Sequence, residues 1–154
     1  MGSYVDYTSI FTDASKTAEG TGAAWVIPHR AEKKFKFSGQ TSIFTAEAFA
    51  ILKSMEFVRD SGICKCIIFS DSLSVLSCLK SPTDVNSNYY HSYIIRIKQD
   101  ISKFQQYNSN KKIVLVWVKA HTGITFNERA DQLAKESVSQ GEEIISQHQL
   151  CMID

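Results

Sequence analysis

The sequence predicts a single α/β domain, a mixed sheet with helices on both faces, and three observations carry that expectation. Three short strand-like segments near the start are joined by short turns, as in an antiparallel meander. Two continuous apolar runs, Cys66-Ile67-Ile68-Phe69 and Ile113-Val114-Leu115-Val116-Trp117-Val118, come later and have the pattern of strands covered on both faces. Between these pieces the apolar residues recur at helical spacing. The resulting order, βββαβααβα, leaves few topologies open.

Each element has its own signal. Residues 7–13, Tyr-Thr-Ser-Ile-Phe-Thr-Asp, are aromatic and β-branched and read as a first strand ending at Asp13. Gly20 and Gly22 open a second strand, Ala23 to Ile27, which Pro28 closes. A polar turn from His29 to Lys34 leads to Phe35-Lys36-Phe37, a half-buried third strand ending at Gly39. From Ile43 to Val58 the period becomes helical, with Phe44, Ala48, Ile51, Leu52, Met55 and Val58 on one face, and Gly62 ends the helix. After the Cys66 run, Ser70-Asp71-Ser72 caps a helix carrying Leu73, Leu76 and Leu79 that Pro82 stops. A helix from about Tyr90 to Phe104 follows, then the Ile113 strand. Thr125-x-x-Glu128 is a capping box opening a last helix that runs to Val138, before Gly141.

A length of 154 residues fits one domain, here placed at 1–138, with 139–154 as a weakly held C-terminal tail. Hydrophobic residues at 44% and charged residues at 21% exclude a disordered chain, and 17 Lys+Arg against 16 Asp+Glu exclude a strongly basic nucleic-acid binder on bulk charge. No apolar run reaches the length of a membrane span and the start lacks a secretory layout, so an intracellular location, cytoplasmic or nuclear, is expected, with no membrane partner. Cys64, Cys66, Cys78 and Cys151 show no zinc-ligand spacing; Cys66 and Cys78 read as small reduced core residues.

The chemistry is in the carboxylates. Asp13 and Asp71 end apolar strands, Glu47 opens the first helix at the edge of its buried stripe, and Asp131 lies one turn into the last helix beside its apolar face. Each alone has an ordinary explanation: Asp71 as a helix cap, Asp13 as a turn residue, Glu47 as a complement to the helix dipole, Asp131 as a solvated helix position. Taken together they fit a different pattern. In an open α/β sheet, ligands sit beyond the carboxyl ends of neighbouring strands. Carboxylates gathered there repel one another unless a cation neutralises them, and oxygen-only ligands select Mg²⁺ or Mn²⁺ over zinc. A metal site for phosphate chemistry is expected on these grounds alone.

The same residues resemble a known family. Thr12-Asp13-Ala14-Ser15 after a strand, Ala46-Glu47 at a helix start and Phe69-Ser70-Asp71-Ser72 at a strand end look like type 1 ribonuclease H. So does Trp117-Val118-Lys119-Ala120-His121-Thr122-Gly123 followed by Asn127-Glu128-Arg129-Ala130-Asp131. The resemblance covers roughly Ile10 to Ser137, and the Phe44-Thr45-Ala46-Glu47 and Asp71-Ser72-Leu73-Ser74 wording is nearest to the RNase H domain of non-LTR retrotransposons. It implies an RNase H-like fold with a five-stranded mixed sheet, the first three strands antiparallel. It also implies an endonuclease that hydrolyses the RNA strand of RNA–DNA hybrids to 5′-phosphate and 3′-hydroxyl ends. By the same resemblance Asp13, Glu47, Asp71 and Asp131 hold two Mg²⁺ ions, with Mn²⁺ as substitute, Asp13 bridges them, and the ions sit about 3.5–4 Å apart for in-line displacement. His121 corresponds to the family's mobile histidine, assisting proton movement or product departure. Asn127 matches a polar residue near the site, and Ser15 is placed to contact phosphate; both are expected to bind substrate. A reverse transcriptase domain in a parent polyprotein is the implied partner.

Two departures bear on substrate binding. Ser42-Ile43-Phe44-Thr45 stands where cellular enzymes carry a polar run that touches the minor groove, so backbone amides must supply more of the 2′-hydroxyl recognition. Between Leu79 and Ile113 only Lys98, Lys103, Lys111 and Lys112 stand in for the family's basic protrusion, against Asp84 and Asp100, which predicts weak binding by the isolated domain. Arg30, Lys33, Lys34 and Lys36 are either a partial substitute or a solvated hairpin. The alternative functions are a domesticated retroelement module that binds without cutting and a structure-selective DNA nuclease of the same superfold.

Overall fold

The computed structural model describes residues 4–38, 41–82, 92–120, 123 and 125–144. In chain order these form β1 (Thr8–Thr17), β2 (Gly20–Ile27), β3 (Ala31–Phe37), α1 (Ile43–Asp60), β4 (Lys65–Ser70), α2 (Leu73–Lys80), α3 (Ser92–Gln106), β5 (Lys112–Trp117), α4 (Thr125–Gln140) and β6 (Glu142–Ile144). The strands lie side by side as β5-β4-β1-β2-β3-β6. The first three form the expected antiparallel meander, and β4 and β5 add in parallel on the other side of β1. Tyr90 and Gly39, two of the expected boundary residues, lie outside the described residues.

Strand alternation divides the interior into two layers. Ile10, Ala23, Trp25 and Ile27 face α1, α2 and α3, whose Ile51, Val75 and Ile97 complete the larger core. Phe11, Ala24 and Val26 face the opposite way onto Ala130, Leu133 and Ala134 of α4. Gly22 lies on this second face. A Cβ there would meet Ser137 Oγ and come within 2.9 Å of the Ala134 carbonyl and the Val138 nitrogen, so glycine is what lets α4 lie directly on β2.

The expected five strands become six. After α4, Gly141 turns the chain against β3; its Cα sits so close to the Phe35–Lys36 peptide that a Cβ would lie 2.6 Å from the Phe35 carbonyl carbon. Glu142–Ile144 then pairs in parallel with Phe35–Phe37, helped by Lys33 to Glu142 at 3.0 Å and by Ser38 Oγ donating to the Ile144 carbonyl at 3.3 Å. Three residues with no alternation carry no strand signal, and pairing alone makes this edge strand. Residues 145–154 lie outside the described residues.

Two further expectations are corrected. The first strand does not end at Asp13 but continues to Thr17, because the hairpin pairs Thr17 with Gly20 and carries the ladder through the polar Ala-Ser-Lys-Thr segment. Cys78 is exposed rather than in the core, since the eight-residue α2 buries only Val75 and Leu76. Cys66 is buried as expected, and burial pushes its thiol up to about 12, which keeps it protonated and inert. Among the described residues no helix is long and apolar enough to cross a membrane.

Candidate active site

The site is a notch made by unequal strand lengths. β4 stops at Ser70, opposite Thr12, while β1 runs on alone on that side, so the flank of β1 from Asp13 onward is open. Thr12, fully buried, ties the two strands at this point by donating its hydroxyl to the Phe69 carbonyl at 3.2 Å. Asp13 shares the face of Phe11, toward α4, and the Ala14 N–H donates to its Oδ1 at 2.8 Å. Glu47 enters from α1 on the other side. It lies in the second turn of that helix, and the first turn holds no acidic residue, so dipole complementation does not account for it. Asp71 follows the last residue of β4. Ser72, not Asp71, fills the α2 cap, accepting the Val75 N–H at 3.4 Å.

Asp13, Glu47 and Asp71 each present a carboxylate oxygen within 4.8 Å of the others. Asp13 is 4% and Glu47 6% exposed, and Asp71 is half-buried. Desolvation and the nearby Asp71 charge push the Asp13 carboxyl up to about 7, against the pull of the Ala14 N–H. Desolvation, then the charges of Asp13 and Asp71, then a side-chain hydrogen bond with Asp13, hold Glu47 well above the usual carboxylate range. Glu47 Oε2 is buried with no hydrogen-bond partner among the described residues. An oxygen-only donor set, mutual repulsion and one orphaned buried carboxylate oxygen are what a hard divalent cation would satisfy, so the residues present fit such an ion.

Asp131 stands apart from this trio. It is near enough for its charge to raise the Asp13 pKa, yet Lys135, one turn on in α4, holds its Oδ2 at 2.8 Å. Ser15 lies two residues beyond Asp13 on the same face of β1, half-buried. Asn127 is 3% exposed, with its Oδ1 lacking a partner. His121 lies outside the described residues. Ser42 and Thr45, from the departing minor-groove segment, are engaged with each other: Ser42 caps α1, accepting the Thr45 N–H at 3.1 Å and donating to the Thr45 hydroxyl at 2.8 Å. Of the hairpin cations, Lys33 pairs with Glu142 at 3.0 Å and Lys34 with Glu136 at 3.4 Å.

Two residues of the notch carried no separate expectation from sequence. Thr12 entered only as part of the Thr12-Asp13-Ala14-Ser15 motif, with no role of its own. Trp117 read as an apolar strand end, but its indole Nε1–H donates to the Asp71 carbonyl at 3.3 Å, from a side chain 48% exposed.

Comparison with known proteins gives a consistent pattern. A family model described as RNase H matches residues 6–139. The ribonuclease H of Chromobacterium violaceum is 25% identical over 149 residues, 86% of this chain and 95% of that protein. Ribonuclease H1 of Homo sapiens is 22% identical over 149 residues, 90% of this chain and 52% of that protein, so the chain spans about half the length of the human relative. In fold, RNase H1 of the archaeon Halobacterium salinarum superposes with a TM-score of 0.63 at 20% identity, covering 86% of this chain and 97% of that one. The N-terminal RNase H domain of a Mycobacterium tuberculosis protein gives 0.60 at 17% identity, covering 85% and 94%.

Proposed function

The chain belongs to the RNase H family, and from that membership we propose that it is a divalent-metal-dependent endoribonuclease that cuts the RNA strand of RNA–DNA hybrids. The observation that carries the reading is the meeting of Asp13, Glu47 and Asp71 in a buried notch with Glu47 Oε2 left without a partner. Asp13, Glu47, Asp71 and Asp131 would hold two Mg²⁺ ions, with Mn²⁺ as substitute, Asp13 serving both. Such ions, when bound, activate the attacking water and neutralise the leaving 3′ oxygen, giving 5′-phosphate and 3′-hydroxyl ends.

The chain's own contribution is placement. The Ala14 amide fixes the Asp13 carboxylate by one oxygen. Burial places the Glu47 carboxylate in a low-dielectric surround, where the attraction of a cation for it is strengthened. His121 assists proton movement or product departure, Ser15 contacts phosphate, and Asn127, buried at the head of α4, binds substrate. The Phe44-Thr45-Ala46-Glu47 and Asp71-Ser72-Leu73-Ser74 segments support a retrotransposon origin, with a reverse transcriptase domain as partner in a parent polyprotein. The proposed domain is 1–138 with an intracellular site of action; of the tail placed at 139–154, Gln140 closes α4 and Glu142–Ile144 is held on β3 rather than loosely.

Matched RNA–DNA, RNA–RNA and DNA–DNA duplexes, with Mg²⁺ and with EDTA, test the reading. Cutting of the hybrid alone, lost in EDTA and in Asp71→Asn, is the expected result. Binding without cutting would leave a nucleic-acid-binding module, and cutting of DNA duplexes a structure-selective nuclease.

A further inference from the structure

We infer that Trp117 is a positioning residue for the metal site: through its indole N–H it holds the turn that keeps the Asp71 carboxylate in the acidic cluster. This rests on the metal-holding reading above and goes beyond it, since Trp117 offers no ligand.

The argument begins with a mechanical problem. Three carboxylates within 4.8 Å repel, and the one with least to restrain it moves out first. Asp13 sits inside a strand paired to Ala24, and Glu47 sits inside an 18-residue helix. Asp71 has neither support: it lies between the end of β4 and the start of α2, half-buried. Its backbone must therefore be pinned by other bonds.

Two of those bonds come from the end of β5, beside a local one in which Ser72 N–H donates to Ser70 Oγ at 3.1 Å. Val118 N–H donates to the Ser70 carbonyl at 2.9 Å, continuing the ladder past the end of β4. The next carbonyl, that of Asp71, accepts two donors, Leu73 N–H at 3.1 Å and Trp117 Nε1–H at 3.3 Å. The Leu73 bond is local to the turn and cannot set where the turn sits relative to the sheet. The Trp117 bond spans 46 residues and ties the turn to β5, which is hydrogen-bonded to β4 along its whole length. Trp117 does this while 48% exposed, a poor place for a large apolar ring that has only packing to contribute.

Trp117→Phe keeps the ring and removes the donor. Losing one such bond weakens the bound geometry by about two- to twelvefold. The expected result is a two- to twelvefold weaker Mn²⁺ affinity by calorimetry without substrate. The Mg²⁺ midpoint of cleavage should shift equally, with kcat at saturating metal and hybrid KM within twofold of the parent. An unchanged metal affinity overturns the inference, and a raised KM alone would make the indole a substrate contact instead. The unaltered protein gives a second measurement by nuclear magnetic resonance. The Trp117 indole N–H, although half-exposed, should exchange slowly with solvent and more slowly when Mg²⁺ binds; fast exchange in both states overturns the inference. Absence of metal binding or hybrid cleavage in the parent protein would instead remove the reading on which it rests.

Discussion

Replacing Asp13 by Asn should stabilise the metal-free protein while removing its response to metal. Asp13 titrates near 3.8 when unfolded and is pushed up to about 7 in the fold, chiefly by burial. At about 1.4 kcal/mol per pH unit between those values, holding it ionised costs the fold about 4 kcal/mol above pH 7. The sign follows from proton binding. Between pH 3.8 and about 7 the folded state keeps a proton that the unfolded state has lost, so this contribution is complete below pH 3.8 and disappears as pH rises to 7. Asn keeps an oxygen for the Ala14 N–H and stands in for the neutral carboxyl; the charge on that bond is already contained in the raised pKa, so the gain at pH 8 is about 4 kcal/mol, or roughly 8–16 °C in Tm for a chain of this size. The assay is a set of thermal melts in EDTA from pH 4.5 to 8, repeated with saturating Mg²⁺. Asp13→Asn should melt higher than the parent at pH 8, the gap should narrow to about 1 kcal/mol at pH 4.5, and only the parent should gain Tm with metal. A variant that melts lower at pH 8, or a gap that does not change with pH, would refute the electrostatic account of the cluster.

Other perturbations separate the remaining parts. His121→Ala should lower the single-turnover rate by about 10²–10⁴-fold, and an unchanged rate would make His121 a bystander. Lys135→Ala removes the cation that holds Asp131 at 2.8 Å and competes with an ion for it; the Mg²⁺ midpoint should fall about two- to threefold at low salt, with the difference fading at high salt. Gly22→Ala places a methyl against Ser137 Oγ, the Ala134 carbonyl and the Val138 nitrogen; it should cost about 1–3 kcal/mol in denaturant melts, and Ser137→Ala should not restore it because the helix backbone remains in the way.

The parts of the fold legible in the sequence are those where one pattern decides one structure. The Ile43 helix was readable because burial of one face imposes a period. The Ile113 run was readable as a strand from its β-branched apolar composition, yet it lies at the sheet edge with only Ile113 buried rather than covered on both faces. The misread parts are those where pairing overrides composition. Ala14 to Thr17 is strand because Gly20 to Ala23 lies opposite, and Glu142 to Ile144 is strand because β3 had a vacant edge. The site shows the same division. Spacing identified Asp13, Glu47 and Asp71 as carboxylates at element ends, and the trio does meet. The i, i+4 relation of Asp131 and Lys135 was equally present in the sequence, but spacing cannot decide whether Asp131 turns to a lysine or to a cation. That depends on what else occupies the notch.

The raised pKa values of Asp13 and Glu47 are central to that competition. Burial and mutual repulsion push Asp13 up to about 7 and hold Glu47 well above the usual carboxylate range, so below pH 7 a cation entering the notch must displace a proton. Metal affinity must then fall about tenfold for each pH unit below 7 for every proton displaced. Cleavage at pH 6 should therefore be weak at a Mg²⁺ concentration that saturates at pH 8, and should recover when the concentration is raised by about that factor. A titration of rate against Mg²⁺ at pH 6, 7 and 8 reads this directly. Midpoints that shift with pH under a common plateau support proton and metal exchange at Asp13 and Glu47. A plateau that falls at pH 6, with fixed midpoints, would place the acid limb on another group and leave the raised pKa values of Asp13 and Glu47 without a part in metal binding.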